Sequence, residues 1–230
     1  MRNFAKLEKK IDYRFKNKEL LKQALVHRSY LNENPDFPLP HNERLEFLGD
    51  AVIELVVTVF LFKNYPNPEG DLTNFRASLV NTKMLAQRAR ELDLEKYLYL
   101  SKGEAKDKNQ KARQSILANT FESMVGAIYL DQGFKKANKF ITENLLQEFP
   151  NILKERLYID AKSRLQEIVQ DKVGVTPEYK VLKEWGPDHS RKFNIGVFFG
   201  KELVAEGVGS SKQEGQMKAA EKALIKKGWQ

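Results

Sequence analysis

The sequence predicts two domains of different class: an all-α domain over residues 1–155, then an α+β domain of order α-β-β-β-α over residues 158–230. Three observations predict it. Apolar residues recur at helical spacing through the first two thirds of the chain. Strict alternation then sets in at Phe193, Ile195, Val197 and Phe199, the period of a half-buried strand. The last stretch, Ser211 to Lys227, returns to the helical period with Ala219, Ala220, Ala223 and Leu224 on one face.

The elements follow in order. Leu20, Leu21, Ala24 and Leu25 share a helical face. Pro35, Pro38 and Pro40 mark a loop from Asn32 to Pro40. Asn42 is placed to N-cap a helix that runs through Asp50 into the apolar stretch Ala51 to Phe62. That stretch contains Glu54 and falls short of the ~20 residues that span a bilayer, so it reads as a buried helix. Tyr65 to Gly70 breaks it, and one further helix is expected from Asp71 to Leu92. Ser101 to Arg113, dense in lysine, reads as a solvated loop or helix end, with a basic rim facing nucleic acid as the other option. Ser115 to Leu130 is apolar at helical spacing again, and Phe134 to Phe149 gives one more helix that Pro150 helps to end. The junction lies near Leu153 to Asp160. Asp160 to Gln170 forms a short amphipathic helix. Strands follow around Tyr179 to Leu182, Phe193 to Phe199 and Glu202 to Val208.

Composition narrows the function classes. The 230 residues carry 39 Lys and Arg against 31 Asp and Glu, a net charge of +8 that favours a polyanionic partner. There is no cysteine, which excludes disulfides and thiolate metal sites. The first residues lead straight into charged, helix-like sequence, so no signal peptide is expected and the cytoplasm is the expected location. No membrane partner is expected.

Chemistry concentrates in two segments. Glu46 and Asp50 are four residues apart and share a helical face; Asn119 and Glu122 are three apart and do the same. Such spacing also describes an ordinary solvated helix face. Here, however, the flanks are Leu45, Phe47, Leu48, Ala51, Val52 and Ile53, and a carboxylate among apolar neighbours is costly without a cation. If the two helices pack together, four oxygen-bearing side chains meet. Hard oxygen ligands in small number suit Mg²⁺, which can activate water and stabilise charge on a phosphodiester.

The segment Glu43-Arg44-Leu45-Glu46-Phe47-Leu48-Gly49-Asp50-Ala51 resembles the signature of the ribonuclease III family. His27-Arg28-Ser29-Tyr30 before it and Ile116 to Asp131 after it also match that family in order and spacing, and the resemblance covers nearly the whole chain. It implies an all-α ribonuclease III domain followed by a double-stranded-RNA-binding domain. It makes Asp50 and Glu122 catalytic acids, and Glu46, Asp50, Asn119 and Glu122 the metal-binding set. Glu43 and Glu69 become acids that assist cleavage, and Phe47 a residue that plugs into the second subunit of a homodimer. By sequence alone Phe47 would be a plain core residue. The family most often has an acid where this chain has Asn119; an amide still offers an oxygen but no charge, so weaker metal affinity is expected.

An A-form duplex is read through 2′-hydroxyls and phosphates rather than base edges. Lys162 to Glu167 supplies polar positions on a helix, Gly186 to His189 a loop, and Gly209 to Glu214 a helix N-terminus, which favours phosphate. These segments resemble the double-stranded-RNA-binding domain. The resemblance implies that Gln166, Glu167, His189, Lys192 and Lys212 face RNA. Gln213 stands where a second lysine is common.

The expected activity is therefore endonucleolytic hydrolysis of double-stranded RNA with Mg²⁺, or Mn²⁺ in its place, and no organic cofactor. The resemblance implies 5′-phosphate and 3′-hydroxyl ends, short 3′ overhangs, and substrates such as ribosomal RNA precursors. The competing expectation is a protein that holds duplex RNA without cutting it, favoured only by Asn119. A third is a helical interaction module whose acids decorate its surface.

Overall fold

The computed structural model describes residues 3–229, apart from the side chain of His189. Two compact units divide the chain, one ending at Tyr158 and the other starting at Ile159. The first contains helices α1 (Phe4–Lys10), α2 (Lys18–Ala24), α3 (Arg28–Glu33), α4 (Glu43–Asn64), α5 (Glu69–Val80) and α6 (Thr82–Glu91). A 3₁₀ turn (Leu94–Tyr97) leads to α7 (Lys102–Lys106), α8 (Gln110–Gln132), α9 (Phe134–Asn144) and α10 (Phe149–Lys154).

Two long helices organise this unit. Helix α4 buries Val52, Ile53, Val56, Val57 and Leu61, and α8 buries Leu117, Phe121, Met124, Val125 and Ile128. Each such side chain contributes roughly 1.5–3 kcal/mol when fully buried. The two helices touch backbone to backbone. A Cβ on Gly49 would lie 1.8 Å from the Glu122 carbonyl oxygen, and one on Gly126 would lie 2.2 Å from that of Leu45. Only glycine permits this approach, and the paired contacts make α4 and α8 antiparallel at the crossing.

Several sequence expectations need correction. The periodic stretch Asp71 to Leu92 is two helices, because Asn81 intervenes: its side chain accepts from the Met84 N–H and donates to the carbonyls of Ala77 and Ser78. One residue thus closes α5 and opens α6. Phe134 to Phe149 is likewise divided. Pro150 sits in the first turn of α10, where its missing N–H costs nothing, so it starts a helix instead of ending one. Asn42 precedes α4, but its side chain makes no cap. It is buried, and its amide donates to the Ala24 carbonyl. Its backbone N–H donates to Val26, and its carbonyl accepts from Leu45 and Glu46. The lysine-dense stretch Ser101 to Arg113 is largely helical, holding α7 and the first turn of α8.

The second unit has α11 (Ala161–Val173), β1 (Glu178–Trp185), β2 (Lys192–Phe199), β3 (Glu202–Gly209) and α12 (Lys212–Lys227). The strands form an antiparallel sheet in the order β1-β2-β3. Leu165 and Val169 of α11 and Ala219, Ala220, Ala223 and Leu224 of α12 cover one sheet face, against Val197, Phe199 and Val204. Glycine again sets a close approach: a Cβ on Gly207 would lie 2.3 Å from the Ala219 nitrogen, and one on Gly209 2.5 Å from that of Gly215.

Candidate active site

The α4–α8 crossing decides where the acids stand. Glu46 and Asp50 lie on α4 on either side of Gly49; Asn119 and Glu122 lie on α8 within two turns of Gly126. The Asn119 side chain hydrogen-bonds Glu46, and Glu122 feels the negative charge of both Asp50 and Glu46. Burial first, then Asp50 and Glu46, pushes the Glu122 carboxyl up to about 8. Burial and Glu43 likewise raise Glu46, against the lowering effect of the Asn119 hydrogen bond. Among the described residues, none of Glu46, Asp50 and Glu122 has an ion-pair partner. Asp50 is exposed, while Glu46 and Glu122 are half-buried. The apolar flanks therefore do not seal the site, and Phe47 is 82% exposed.

The donor chemistry fits a hard divalent cation: three carboxylates and an amide oxygen, mutually repelling, with no protein cation among them. The geometry is open. Among the described residues, no set of three or more Asp, Glu or His side chains closes on one point as an ion would require.

A recess of about 420 Å³ adjoins this cluster, lined by His27, Arg28, Asn42, Glu43, Glu46, Glu104 and Asn119 among others. Glu43 lies 3.8 Å from both Arg28 and His41. The His27 ring caps α3, its Nδ1 accepting from the Ser29 N–H, and burial lowers its pKa. Glu69 is elsewhere. It opens α5 and lines a recess of about 240 Å³ with Thr58, Leu61, Phe62, Leu72, Thr73 and Arg76. Arg76 reaches back to Glu54 and Thr58, so α5 runs back along α4 and leaves Glu69 at the far end. From Glu46 to Phe62 is ~24 Å along the helix at the usual rise per residue.

In the second unit, Gln166 and Glu167 stand on the exposed side of α11, and Lys192 is exposed at the start of β2. Lys212 opens α12, its ammonium 5.9 Å from the Phe193 ring centre. The helix entry is built firmly. Ser211 accepts from the Glu214 N–H, and Glu214 reaches back to the Ser210 N–H and hydroxyl. These bonds and Lys218 hold the Glu214 carboxyl down to about 2. The expected contact at His189 lies outside the described side chains.

Comparison with known proteins converges with this geometry. Residues 17–149 match the family described as Ribonuclease-III-like, and residues 161–227 match the double-stranded RNA binding motif. The chain belongs to the ribonuclease III family. It is similar to Ribonuclease 3 of a Nitratiruptor species, 42% identical over 97% of this chain and 96% of that one. It is 44% identical to Ribonuclease 3 of Pelotomaculum thermopropionicum, over 96% and 91% of the two chains. Among solved structures, the nuclease domain of the Campylobacter jejuni ribonuclease III is 40% identical, with a TM-score of 0.57 over 64% of this chain and 99% of that one.

As a member of the ribonuclease III family, the chain is an endoribonuclease of double-stranded RNA with a divalent-metal cofactor. The sequence pattern singled out Gly49 only as part of a motif and passed over Gly126; the signal for both is a backbone contact that periodicity does not carry. Glu104, some sixty residues along the chain from Glu43, could not be placed beside it without the fold. No helix among the described residues is long and apolar enough to cross a membrane.

Proposed function

We propose that this chain cuts duplex RNA with Mg²⁺, Mn²⁺ serving in its place, held by Glu46, Asp50, Asn119 and Glu122, with Asp50 and Glu122 as the catalytic acids. The observation that carries the reading is the raised Glu122 carboxyl at the α4–α8 crossing: three acids without a protein cation call for one from solution. When bound, such an ion supplies Lewis acidity toward the phosphodiester and an acidified water. The protein's own part is positioning. The glycine crossing fixes the two acid pairs, Asn119 orients the Glu46 carboxylate, and Glu43 with Arg28 lines the adjoining recess where the RNA strand would pass. Products would carry 5′-phosphate and 3′-hydroxyl ends with short 3′ overhangs, and structured precursors such as ribosomal RNA are the proposed substrates.

The same reading makes the protein a homodimer. Phe47 projects almost wholly into solvent, and Leu55, Val59 and Phe62 continue an exposed apolar stripe on α4. An exposed aromatic of that size fits an apolar recess such as the one beside Phe62 and Leu72 on a second copy. Glu69 lies in that recess, so it would assist cleavage in the opposite subunit and not in its own. In the second unit, Gln166, Glu167, Lys192 and Lys212, with His189, would follow the duplex through its 2′-hydroxyls and phosphates.

The test is direct. Long duplex RNA incubated with Mg²⁺ should yield short duplex products, and Glu122→Gln should bind the RNA yet leave it whole. Full cleavage by the Glu122 and Glu46 variants would sink the assignment.

A further inference from the structure

A second polar recess lies in the first unit, on a different face of α8. It encloses about 620 Å³ and is lined by Lys83, Gln87 and Arg90 of α6, Glu95, the loop residues Asp107 and Lys108, and Gln110, Arg113 and Gln114 of α8. Arg113 lies nine residues before Glu122, half a rotation around the helix and ~14 Å along it, which sets it apart from the acidic cluster. The recess shares no lining residue with the one beside Glu43.

Its lining carries four cations, Lys83, Arg90, Lys108 and Arg113, against two carboxylates, Glu95 and Asp107. The Glu95 carboxylate is taken by Arg113 Nε at 2.7 Å, and Asp107 accepts from the Asn109 N–H at 2.9 Å. Lys83, Arg90 and Lys108 have no ion-pair partner among the described residues. Lys83, Gln87 and Arg90 sit at i, i+4 and i+7, so α6 turns one continuous face to the cavity. On the opposite wall, α8 begins at Gln110; its Asn109 cap already accepts from the Lys111 and Ala112 N–H groups, so this end adds the helix dipole and not free first-turn donors. Arg113 Nη1 is buried without an acceptor and out of reach of a solute in the recess, so Arg113 contributes its charge there, shared with Glu95. The side-chain amides of Gln87, Gln110 and Gln114 add neutral donors and acceptors around the cations.

We propose that this recess is a phosphate-binding site, built for a phosphoester or polyphosphate group. Three unpaired cations, Lys83, Arg90 and Lys108, supply charge-assisted donors for non-bridging oxygens. Amide side chains and a volume of this size leave room for more than a bare ion. The phosphate can come from an RNA backbone lying outside the cleavage groove, or from a free phosphorylated metabolite. The proposal does not depend on the acidic cluster being a metal site.

Two measurements on the full chain test it, both in EDTA so that no ion bridges ligand to the acids. In calorimetric titration, pyrophosphate should bind saturably to the parent. Arg90→Ala/Lys108→Ala, two exposed positions outside the cleavage machinery, should weaken it at least tenfold. Duplex RNA affinity is then followed against salt. A slope shallower by about one to two in the double variant assigns the phosphate to RNA. An unchanged slope with lost pyrophosphate binding assigns it to a free ligand. Equal pyrophosphate titrations in parent and variant, or none in either, together with identical salt slopes, would overturn the proposal. Cleavage of a short duplex in saturating Mg²⁺ should be the same in both proteins, which separates this outcome from any failure of the metal reading.

Discussion

The two units solve the same packing problem alike and spend the result differently. In each, glycines let main chain meet main chain: Gly49 and Gly126 where α4 crosses α8, Gly207 and Gly209 where β3 meets α12. In the nuclease unit the approach presses acids of one sign together and half-buries them, so the site opposes the stability of its own scaffold. In the RNA-binding unit Gln166, Glu167, Lys192 and Lys212, proposed to meet RNA, stay exposed, and Glu214, held by Ser210 and Lys218 in a satisfied helix cap, supports the fold. The contrast teaches which residues can change cheaply. The acids proposed to cut are strained by neighbours; the residues proposed to bind are not.

The most severe way to break the comparison is Gly49→Ala. The added methyl has no room against the Glu122 carbonyl, so α4 and α8 must part, at a cost of about 3 kcal/mol or more. Thermal unfolding should show a large drop for the first unit, with cleavage lost. Gly207→Ala should do comparable damage to the second unit alone, abolishing duplex binding while the first keeps its melting transition. If both substitutions are tolerated, the glycine crossings are not what sets either site.

Glu122→Gln separates function from stability. Cleavage should fall at least ~100-fold while RNA affinity holds. In metal-free buffer the variant should be the more stable protein, and the sign follows from linkage. A carboxyl whose pKa rises on folding has no effect below about 4.5; it costs stability progressively toward about 8, and fully above that. The gap between variant and parent should open over that range and reach on the order of 2 kcal/mol after allowance for solvent screening. Denaturant melts at pH 4 and pH 9 that differ by the same amount would refute this account of Glu122.

A gentler probe is Lys212→Ala. Duplex affinity should weaken severalfold, and the slope of log affinity against log salt should lessen by about one, with turnover at saturating RNA unchanged. The smallest effect belongs to Asn119→Asp, which restores an acid beside Glu46. The Mg²⁺ concentration for half-maximal cleavage should fall a few-fold, and equal Mg²⁺ dependence in the two proteins would show that the missing charge does not matter.

Much of this was legible in the chain. Helical periodicity located α4, α8 and α12, and alternation located β2, because both patterns record which face is buried. The acid spacings at Glu46/Asp50 and Asn119/Glu122 placed each pair on one face. What escaped depends on contacts that periodicity does not record, some local and some distant in sequence. Asn81 splits a periodic stretch by hydrogen-bonding both ways, and Pro150 opens a helix because a first turn needs no N–H. Asn42 looked like a cap by type and position, yet its side chain is drawn to the Ala24 carbonyl. Phe47, expected from its type to lie in a core, is exposed because α4 presents that side outward.

The main-chain contact at Gly49 and Gly126 also bears on how the proposed metal site would respond to a guest. With no side chains between them to act as a cushion, any shift of one helix against the other must move main chain against main chain. An ion held there would offset the mutual repulsion of the acids and so add to the stability of the frame, and backbone amide exchange at the crossing should slow when the guest is bound.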